Sequence, residues 1–398
     1  MKKEMKNLKR KIVSVLLVFV LIFSMTAAAF AGTDAAAFKK AYDETGAYLL
    51  SYLENNSPTI GYEWIVLGLA RSGYEGTEEV FQQYYTNVLN DIDAAIDENE
   101  RMDLPTTNAR MILGLTSIGK DVTDVGGHNL LKGLNSMELI QNQGINAAMY
   151  ALLAFDSNDY EIPAGSDASD SVTREKLVNL ILEKQIADGG WHWDPTSTSS
   201  DTDMTMIAVQ ALAKYKDDAK VKAALDKAVN FLSGKQMETG EFPYIWGTDE
   251  FPSVYTTAQA VVALTAAGVD VDKDARFIKD GKNVMDGLLQ YALDGGAFTG
   301  SVGATYVDNY ATAQAYYALA AYDRYVSGKT ALFDMTDLYE STDEEGQGGE
   351  NTGNGTVDED SKTDVPNTAD NQSLVMWITA LAMAGVAAAF AVSKKEEK

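Results

Sequence analysis

An internal repeat of eight residues is the feature of this sequence that most constrains its fold. Three stretches superimpose without gaps, at residues 205–212, 257–264 and 312–319, and each places a Thr seven residues before the Leu of an Ala-Leu pair. Looser copies lie at residues 62–69, 108–115 and 146–153. A unit that recurs in this way cannot bury its apolar face alone, so its copies must pack against one another. The repeat predicts six stacked units within one domain, at residues 34–338.

The segments between the copies have a different pattern from the copies themselves. Each copy is apolar nearly all round and rich in Ala and Gly, which is typical of a helix enclosed by neighbours. The intervening segments carry charge and repeat their apolar residues at spacings of three and four, which is typical of a half-exposed helix. These amphipathic segments are residues 38–53, 78–96, 127–139, 174–184, 221–235 and 274–292. The sequence therefore predicts an all-α fold, an α/α toroid of six helix pairs with an inner and an outer ring.

Three turns that follow outer segments share a Gly and an aromatic residue. They run from Gln185 to Trp191 (QIADGGW), from Gln236 to Phe242 (QMETGEF), and over residues 294–298 in a degenerate form (DGGAF). Gly after a last helical turn favours a left-handed cap, and the aromatic residue can attach the turn to the next unit. These turns resemble the Gln/Trp repeats of the terpene cyclase and protein prenyltransferase superfamily, whose members fold as α/α toroids.

Within that superfamily, the sequence looks most like secreted bacterial members related to the helical domain of transcobalamins and intrinsic factor. The closing segment at residues 322–335 (YDRYVSGKTALFDM) carries this likeness. The resemblance implies that a corrinoid is one candidate ligand, and no cofactor is otherwise predicted.

The fourth inner segment opens with an acidic motif, Asp201-Thr-Asp203-Met204-Thr205. It resembles the Asp-x-Asp-Asp-Thr motif of squalene-hopene-type cyclases, in which the middle Asp protonates an alkene. Asp203 takes the place of that acid, Asp201 that of the preceding Asp, and Met204 replaces the following Asp. The alternative interpretation is helix capping, because Asp at a helix start accepts free N–H groups and favours the positive end of the helix dipole.

A ligand site is predicted where the inner segments begin. All six should start at one mouth of the ring, which brings their preceding loops together. Aromatic faces beside a few carboxylates suit a planar, amphipathic or sugar-like ligand. The predicted ligand-binding residues are Trp191, Trp193, Asp201, Asp203, Tyr244, Trp246, Tyr255, Asp308 and Tyr310, with His192 and Tyr306 in the same loops.

Charge and composition exclude several kinds of site. The formal net charge of −26 repels nucleic acid phosphates, so no nucleic-acid partner is expected. The chain has no Cys and only two His, at His128 and His192, which lie far apart in the sequence. Disulfides, a Cys-ligated zinc site and a Ser-His-Asp triad are therefore not indicated, and no metal site is predicted.

The start of the chain predicts export. Residues 1–31 combine a basic start, an apolar run too short to span a bilayer, and small residues at Ala29 and Ala31, which is the pattern of a cleaved secretory signal peptide.

The other end of the chain predicts surface anchoring. Residues 339–364 are rich in Gly and acidic residues and predict a disordered acidic linker. Residues 365–398 begin with VPNTA, including Pro366 and Thr368, and continue into an apolar span at 374–392 and a basic tail. This order resembles the sorting signal of Gram-positive cell-wall proteins. It predicts sortase and peptidoglycan as partners, a transmembrane segment, and a location at the outer face of the cell, in the wall or the membrane.

Three hypotheses about function follow from these patterns. The main one is a non-catalytic, surface-anchored protein that captures a small molecule, such as a corrinoid, or an extracellular partner protein at the mouth of the toroid. The alternative is an enzyme of terpene cyclase-like or glycoside hydrolase type that uses Asp203 as its acid, with Asp308 as the second carboxylate in the hydrolase version. A third is a purely structural or adhesive toroid.

Overall fold

A computed structural model of the protein describes residues 32–246 and 249–338. In this part of the chain six helices follow the predicted inner segments: α2 (Glu63–Ser72), α4 (Pro105–Ser117), α6 (Ile145–Asp156), α8 (Thr202–Leu212), α10 (Val254–Ala266) and α12 (Asn309–Val326). The helices between them are α1 (Ala35–Asn56), α3 (Glu78–Ala95), α5 (Met137–Gln143), α7 (Arg174–Glu183), α9 (Ala219–Lys235) and α11 (Val284–Leu289).

The inner helices form a closed ring. Each of them packs against the next along the chain, and α12 then packs against α2 as extensively as against α10. Most of their Ala and Gly residues are buried, which lets neighbouring backbones approach closely. The outer helices bury one face only, as α9 does through Val221, Leu225 and Leu232. The predicted α/α toroid is confirmed.

Two outer segments differ from the prediction. Residues 127–139 form a 3-10 helix (Leu130–Leu134) followed by the short α5, and residues 274–292 form a 3-10 helix (Ala275–Phe277) followed by α11. In the second case Asp280 and Gly281 both have positive φ angles, of 45° and 74°, and make a tight turn between Lys279 and Lys282. Helix α11 then starts afresh, because Asn283 and Asp286 form a capping box.

The fold is also not purely helical. Strands β1 (Phe242–Trp246) and β2 (Asp249–Ser253) form an antiparallel hairpin just before α10, with Phe242 opposite Ser253 and Tyr244 opposite Phe251. The strands are short, and each contains a Pro, a residue that cannot donate to a strand ladder. Because of these Pro residues, the sequence of this segment does not have the regular pattern that predicts a hairpin.

The repeated Thr residues attach each turn to the start of the next inner helix. Each Thr hydroxyl donates to the carbonyl four residues earlier, over 2.6 to 2.7 Å, and accepts the backbone N–H of the aromatic residue of the turn. The accepting distances are 3.0 Å for Thr205 and Trp191, 2.9 Å for Thr257 and Phe242, and 2.9 Å for Thr312 and Phe298. In α4, Asn108 takes the Thr position and accepts the N–H of Met102 over 2.9 Å.

In the two turns that begin with Gln, QIADGGW and QMETGEF, the Gln side chain ties the turn to the next outer segment. The Gln185 side-chain amide donates to the carbonyls of Gly189 and Ala224, over 2.8 and 2.9 Å. Gln236 does the same to Gly240 and Phe277, over 3.0 Å each. Gly240 has a φ of +92°, and a Cβ there would lie 2.3 Å from the carbonyl oxygen of Asn283. Only Gly allows this close approach.

The end of the described domain closes the ring on the side where the inner helices finish. Arg71 of α2 and Arg324 of α12 both bind Asp337, with nitrogen-to-oxygen distances of 2.9 and 2.6 Å. Leu332 and Met335 of the same segment are buried. Residues 329–338 therefore fasten the first and last inner helices together.

No helix in the two described stretches is long and apolar enough to cross a membrane. The predicted signal peptide at 1–31, the acidic linker at 339–364, and the sorting signal with Pro366, Thr368 and the span at 374–392 lie outside the described residues. They stay predictions.

The contact in which a repeated Thr hydroxyl joins a turn to an inner helix is called the Thr clamp here, and it predicts a specific cost for losing one hydroxyl. Thr257→Val should lower the free energy of unfolding by about 2 kcal/mol, because the buried N–H of Phe242 loses its acceptor. Thr265→Val, also in α10, is the matched control: its hydroxyl bonds only carbonyls of its own helix, so it should cost much less. Urea unfolding of both variants measures the difference, and equal losses would show that the clamp is not a stabilising contact.

Candidate functional site

Three successive inner helices begin with the same capped turn. Asp201 accepts the N–H of Met204 at the start of α8, over 2.8 Å, and Ser253 accepts that of Thr256 at the start of α10, over 3.2 Å. Asp308 caps α12 in the same way. The capping interpretation therefore holds for Asp201. It does not hold for Asp203, which lies two residues further along and caps nothing.

Asp203 faces the centre of the ring. Its charge acts on the hydroxyls of Tyr150 in α6 and of Tyr310 and Tyr317 in α12, although α12 is not a neighbour of α8. Residues at the same position two after the cap are Asp203, Tyr255 and Tyr310. The rings of Tyr255 and Tyr310 lie 5.6 Å apart, so the three inner helices direct these side chains to one place.

The side chains at the ring centre line a space that is open to solvent, which we call the lumen. Tyr310 keeps 42% of its surface exposed, and Asp203 and Tyr150 are half-buried. Further in, the Trp64 ring lies 6.0 Å from the ring of Tyr317 and 6.3 Å from that of Phe333, between ring centroids. Phe333 comes from the segment that closes the far side. The lumen thus has an acid near its mouth and an aromatic floor.

The environment of Asp203 favours its protonated form. Burial raises its pKa most, the neighbouring Asp201 raises it further, and the Thr256 hydroxyl lowers it, which brings the pKa to about 7. Burial also raises the pKa of Asp201. A carboxyl group with a pKa near neutrality can hold a proton at physiological pH and release it to a bound molecule, which is the requirement for a general acid.

The structure gathers some of the predicted mouth residues and separates others. Tyr244 and Tyr255 lie near Asp203 and Asp308 respectively, and the Tyr255 hydroxyl donates to Asp308 over 2.6 Å. The Asp308 carboxylate also takes the N–H groups of Tyr310 and Ala311. Because Asp308 is engaged in capping and in this contact, it is not free to act as the second carboxylate of a glycoside hydrolase. The Trp246 side chain lies outside the described part of the chain.

The two Trp residues of the QIADGGW loop region do not line the lumen. Trp191 is fully buried, and its indole N–H donates to the carbonyl of Ile181 over 2.7 Å, so it belongs to the core. Trp193 is 66% exposed and lies beside His192, with ring centroids 5.4 Å apart. Trp193 and His192 border a separate cavity of about 260 Å³, which Lys184 also lines. The Tyr306 side chain is 54% exposed.

Sequence reasoning missed a polar layer one helical turn below Asp203. Positions four residues beyond Tyr255 and Tyr310 hold Gln259 and Gln314. Arg110 in α4 stands at the corresponding position, counted from the helix start. Helical spacing of four from the capped turns is the signal that finds these residues.

Two further findings bound the chemistry. No group of three or more His, Asp and Glu side chains that could hold a metal ion occurs among residues 32–246 and 249–338. A cavity of about 510 Å³ lies at the other end of the ring, between Lys214, Lys216 and Lys329, and does not include Asp203.

Solved structures similar to this one include terpene cyclases. The apo type II terpene cyclase MstE from Scytonema superimposes with a TM-score of 0.51 at 13% sequence identity, over 73% of this chain and 99% of that chain. A variant of MstE in complex with geranylgeranyl dihydroxybenzoate, its substrate, gives a TM-score of 0.50 at 12% identity, over 73% and 98%. At such identities the likeness shows the fold.

These findings correct the main functional hypothesis. The prediction of a non-catalytic binding protein is wrong, because the similar structures are enzymes, one of them holding its substrate. The comparisons favour the alternative, a terpene cyclase-like enzyme. They do not test the likeness to cobalamin-binding toroids or the corrinoid ligand, which stay predictions.

The sequence itself places the chain in a family. No curated protein matches it. Residues 122–329, more than half of the chain, match the prenyltransferase alpha-alpha toroid domain. The match covers the three strict repeats, the Gln turns and Asp203. The chain therefore belongs to the prenyltransferase alpha-alpha toroid domain family.

Proposed function

We propose that this protein is a terpene cyclase-like enzyme in which Asp203 protonates an alkene of a polyprenyl substrate. One observation carries the proposal: a carboxyl group with its pKa raised to about 7 faces an aromatic lumen, at the position of the acid in the cyclase motif. The family and the fold of the similar cyclases support it.

The proposed reaction needs no co-reactant. The proton of Asp203 forms a new C–H bond at the less substituted carbon of a terminal double bond, which leaves a tertiary cation on the other carbon. The next double bond supplies the electron pair that closes a ring and moves the cation along the chain. Loss of a proton from the last cation gives a product isomeric with the substrate. Asp203 regains its proton from water at the mouth.

The aromatic residues of the lumen suit this chemistry. The faces of Trp64, Tyr150 and Tyr310 are electron-rich and attract a cation that forms between them. Burial, before any other cause, raises the pKa of Tyr150 and Tyr310, so both phenols stay neutral. Neutral rings stabilise the cation without capturing it as a nucleophilic phenolate would.

The departure from the cyclase motif falls on the residue after the acid. A thioether, Met204, stands where those cyclases have a further Asp, and it neither carries charge nor donates a proton. The Thr256 hydroxyl lowers the pKa of Asp203 and so favours the carboxylate left after proton transfer. Proton transfer in this enzyme therefore rests on Asp203 without the further Asp of the cyclase motif.

We also infer that the enzyme works at the outer face of the cell. The signal peptide pattern at residues 1–31 and the sorting signal with Pro366 and Thr368 support this location. A surface-anchored cyclase would receive substrates released from, or presented by, the membrane.

The raised pKa of Asp203 has a consequence for stability that does not depend on catalysis. Its pKa is about 7 in the folded protein and near 3.8 when unfolded, so the folded state holds the proton more tightly. Wild-type stability should therefore fall as pH rises from about 4 to about 7 through this group. Asp203→Asn lacks this loss and should be more stable than wild type at about pH 8, but not at about pH 4.

Thermal unfolding of both proteins across this pH range measures the effect. Asp218→Asn is the matched control, because Asp218 is an exposed cap of α9 and Asn caps equally well. A stability difference between Asp203→Asn and wild type that does not grow with pH would show that Asp203 is ionised like an ordinary surface carboxylate.

Catalysis is tested with purified full-length protein in D₂O. Incubation with geranylgeranyl dihydroxybenzoate and with unsubstituted polyprenes should give a cyclised isomer that carries one non-exchangeable deuterium, detected by mass spectrometry. Rates should fall as pH rises above about 7, because the acid loses its proton. Asp203→Asn should lower the rate at least about a hundredfold, in the range of general-acid contributions.

Asp218→Asn again serves as the control and should retain wild-type rates. A product without deuterium would contradict initiation by protonation. Equal rates in wild type and Asp203→Asn would contradict the role of Asp203.

A further inference from the structure

The polar layer below Asp203 is unexpected in a lumen that handles only hydrocarbon. It consists of Arg110, Gln259 and Gln314, each four positions deeper than the mouth level, or about 6 Å along the helix axis. The Gln259 side chain accepts from Gln210 over 2.9 Å and donates to the Tyr317 hydroxyl over 2.6 Å. Gln259 therefore has protein partners on both sides. Arg110 and Gln314 do not.

Arg110 offers donors that the protein leaves unused. Its Nε lies 2.8 Å from Oε2 of Glu63, although the two atoms are not aligned for a hydrogen bond. Glu63 is fully buried, and its other oxygen accepts the N–H of Gly61 over 2.7 Å. The terminal guanidinium nitrogens of Arg110 donate to none of the described residues. The side chain keeps 18% exposure, and its charge acts on the hydroxyls of Tyr150 and Tyr310 in the lumen.

Gln314 supplies a second, independent observation. The residue is only 5% exposed, and its side chain lowers the pKa of the Tyr310 hydroxyl, so the two groups lie close together. Its carbonyl oxygen Oε1 is buried without any partner. A buried acceptor without a donor is costly in a folded protein, so its persistence here points to a donor that arrives with a ligand.

We infer that the substrate carries an anionic head group with a hydroxyl or N–H donor, held by Arg110 and Gln314. The terminal nitrogens of a guanidinium bind a carboxylate through two parallel hydrogen bonds. A donor on the same head group meets Gln314 Oε1. The inference rests on the proposed function for the polyprenyl part of the substrate, and it concerns binding, which is measurable without turnover.

The position of the layer gives the substrate a direction. A head group at Arg110 lies deeper than Asp203, between the mouth and the aromatic floor at Trp64 and Phe333. The prenyl chain of the bound molecule then runs back toward the mouth and brings its terminal double bond to the acid. A plain hydrocarbon has no polar group and would leave the terminal nitrogens of Arg110 and Oε1 of Gln314 without partners in a drier lumen.

Calorimetric titration of the full chain tests the inference with three probes. These are a farnesylated hydroxybenzoic acid, its methyl ester and farnesene. Wild type should bind the acid at least about tenfold more tightly than the ester, because a charge-assisted pair exceeds a neutral hydrogen bond. Farnesene should bind more weakly than the ester.

The variants separate a ligand site from a structural ion pair. Arg110→Gln combined with Glu63→Gln removes both charges and leaves no unpaired buried carboxylate, so folding should be retained. This double variant should bind acid and ester equally, with ester affinity within about twofold of wild type. Gln314→Glu adds an opposing charge to the layer and should weaken the acid alone. Arg276→Gln, at an exposed Arg paired with Asp274, is the control and should change nothing.

Equal affinity of wild type for acid and ester would overturn the inference. So would an acid preference that survives both in the Arg110→Gln and Glu63→Gln double variant and in Gln314→Glu. The turnover assay is read separately. An acid preference without any cyclised product keeps the inference and removes the proposed reaction. Cyclisation of acid, ester and hydrocarbon at equal rates and affinities would support the proposed reaction and overturn the inference of an anionic head group.

Discussion

The ring depends on one small contact, in which a Thr hydroxyl joins a turn to the start of the inner helix that follows the turn. By donating to the carbonyl four residues earlier and accepting the N–H of an aromatic residue, the hydroxyl fixes the first turn of the inner helix against the loop. The same contact in three successive repeats gives three helix starts with one geometry. Position two after each cap then always faces the lumen. The chemistry of the site follows from which residue each repeat places there.

Asp201 and Asp203 illustrate how two residues of one motif acquire different roles. Asp201 lies at the helix start, where free N–H groups stabilise its charge, and it also joins the turn through the carbonyl of Trp191. Asp203 is one of the first helical residues but faces across the ring toward phenols. It has the Asp201 charge beside it, which raises its pKa, and the Thr256 hydroxyl, which lowers it. Burial raises the pKa of both carboxyl groups, but the backbone N–H of Met204 opposes this rise at Asp201, whereas the Asp201 charge adds to it at Asp203.

The strict repeats could be predicted from the sequence because their spacing is fixed by the Thr clamp. Aligning residues 205, 257 and 312 placed Asp203, Tyr255 and Tyr310 at equivalent positions, and the structure brings these three together. The early repeats lack the Thr, so their register was uncertain. Residue 62 aligns with the Thr position, but in the structure it precedes the first residue of α2. Register errors of this size move a residue from the lumen to the core.

Other parts of the site could not be predicted from sequence, for physical reasons that differ. Trp191 looks like a ligand-binding aromatic residue, but the short turn directs it into the core, where the carbonyl of Ile181 takes its indole N–H. Arg110 looks like an ordinary helix-surface charge until the ring closes around it and pairs it with the buried Glu63. The β1–β2 hairpin could not be predicted, because a Pro in each strand interrupts the sequence pattern of a regular β-strand. In each case the outcome depends on contacts between distant repeats.

The arrangement of charge in the lumen explains how an acid and a cation can share one ring. A free guanidinium close to Asp203 would stabilise its carboxylate and lower its pKa, which would discharge the acid. Here Arg110 is paired with Glu63, and the pKa of Asp203 is set by burial, by Asp201 and by the Thr256 hydroxyl. The charges of Arg110 and Asp203 both act on the hydroxyls of Tyr150 and Tyr310, in opposite directions. Burial and Asp201 thus hold the pKa of Asp203 near 7, while the terminal nitrogens of Arg110, which donate to none of the described residues, can bind an anion.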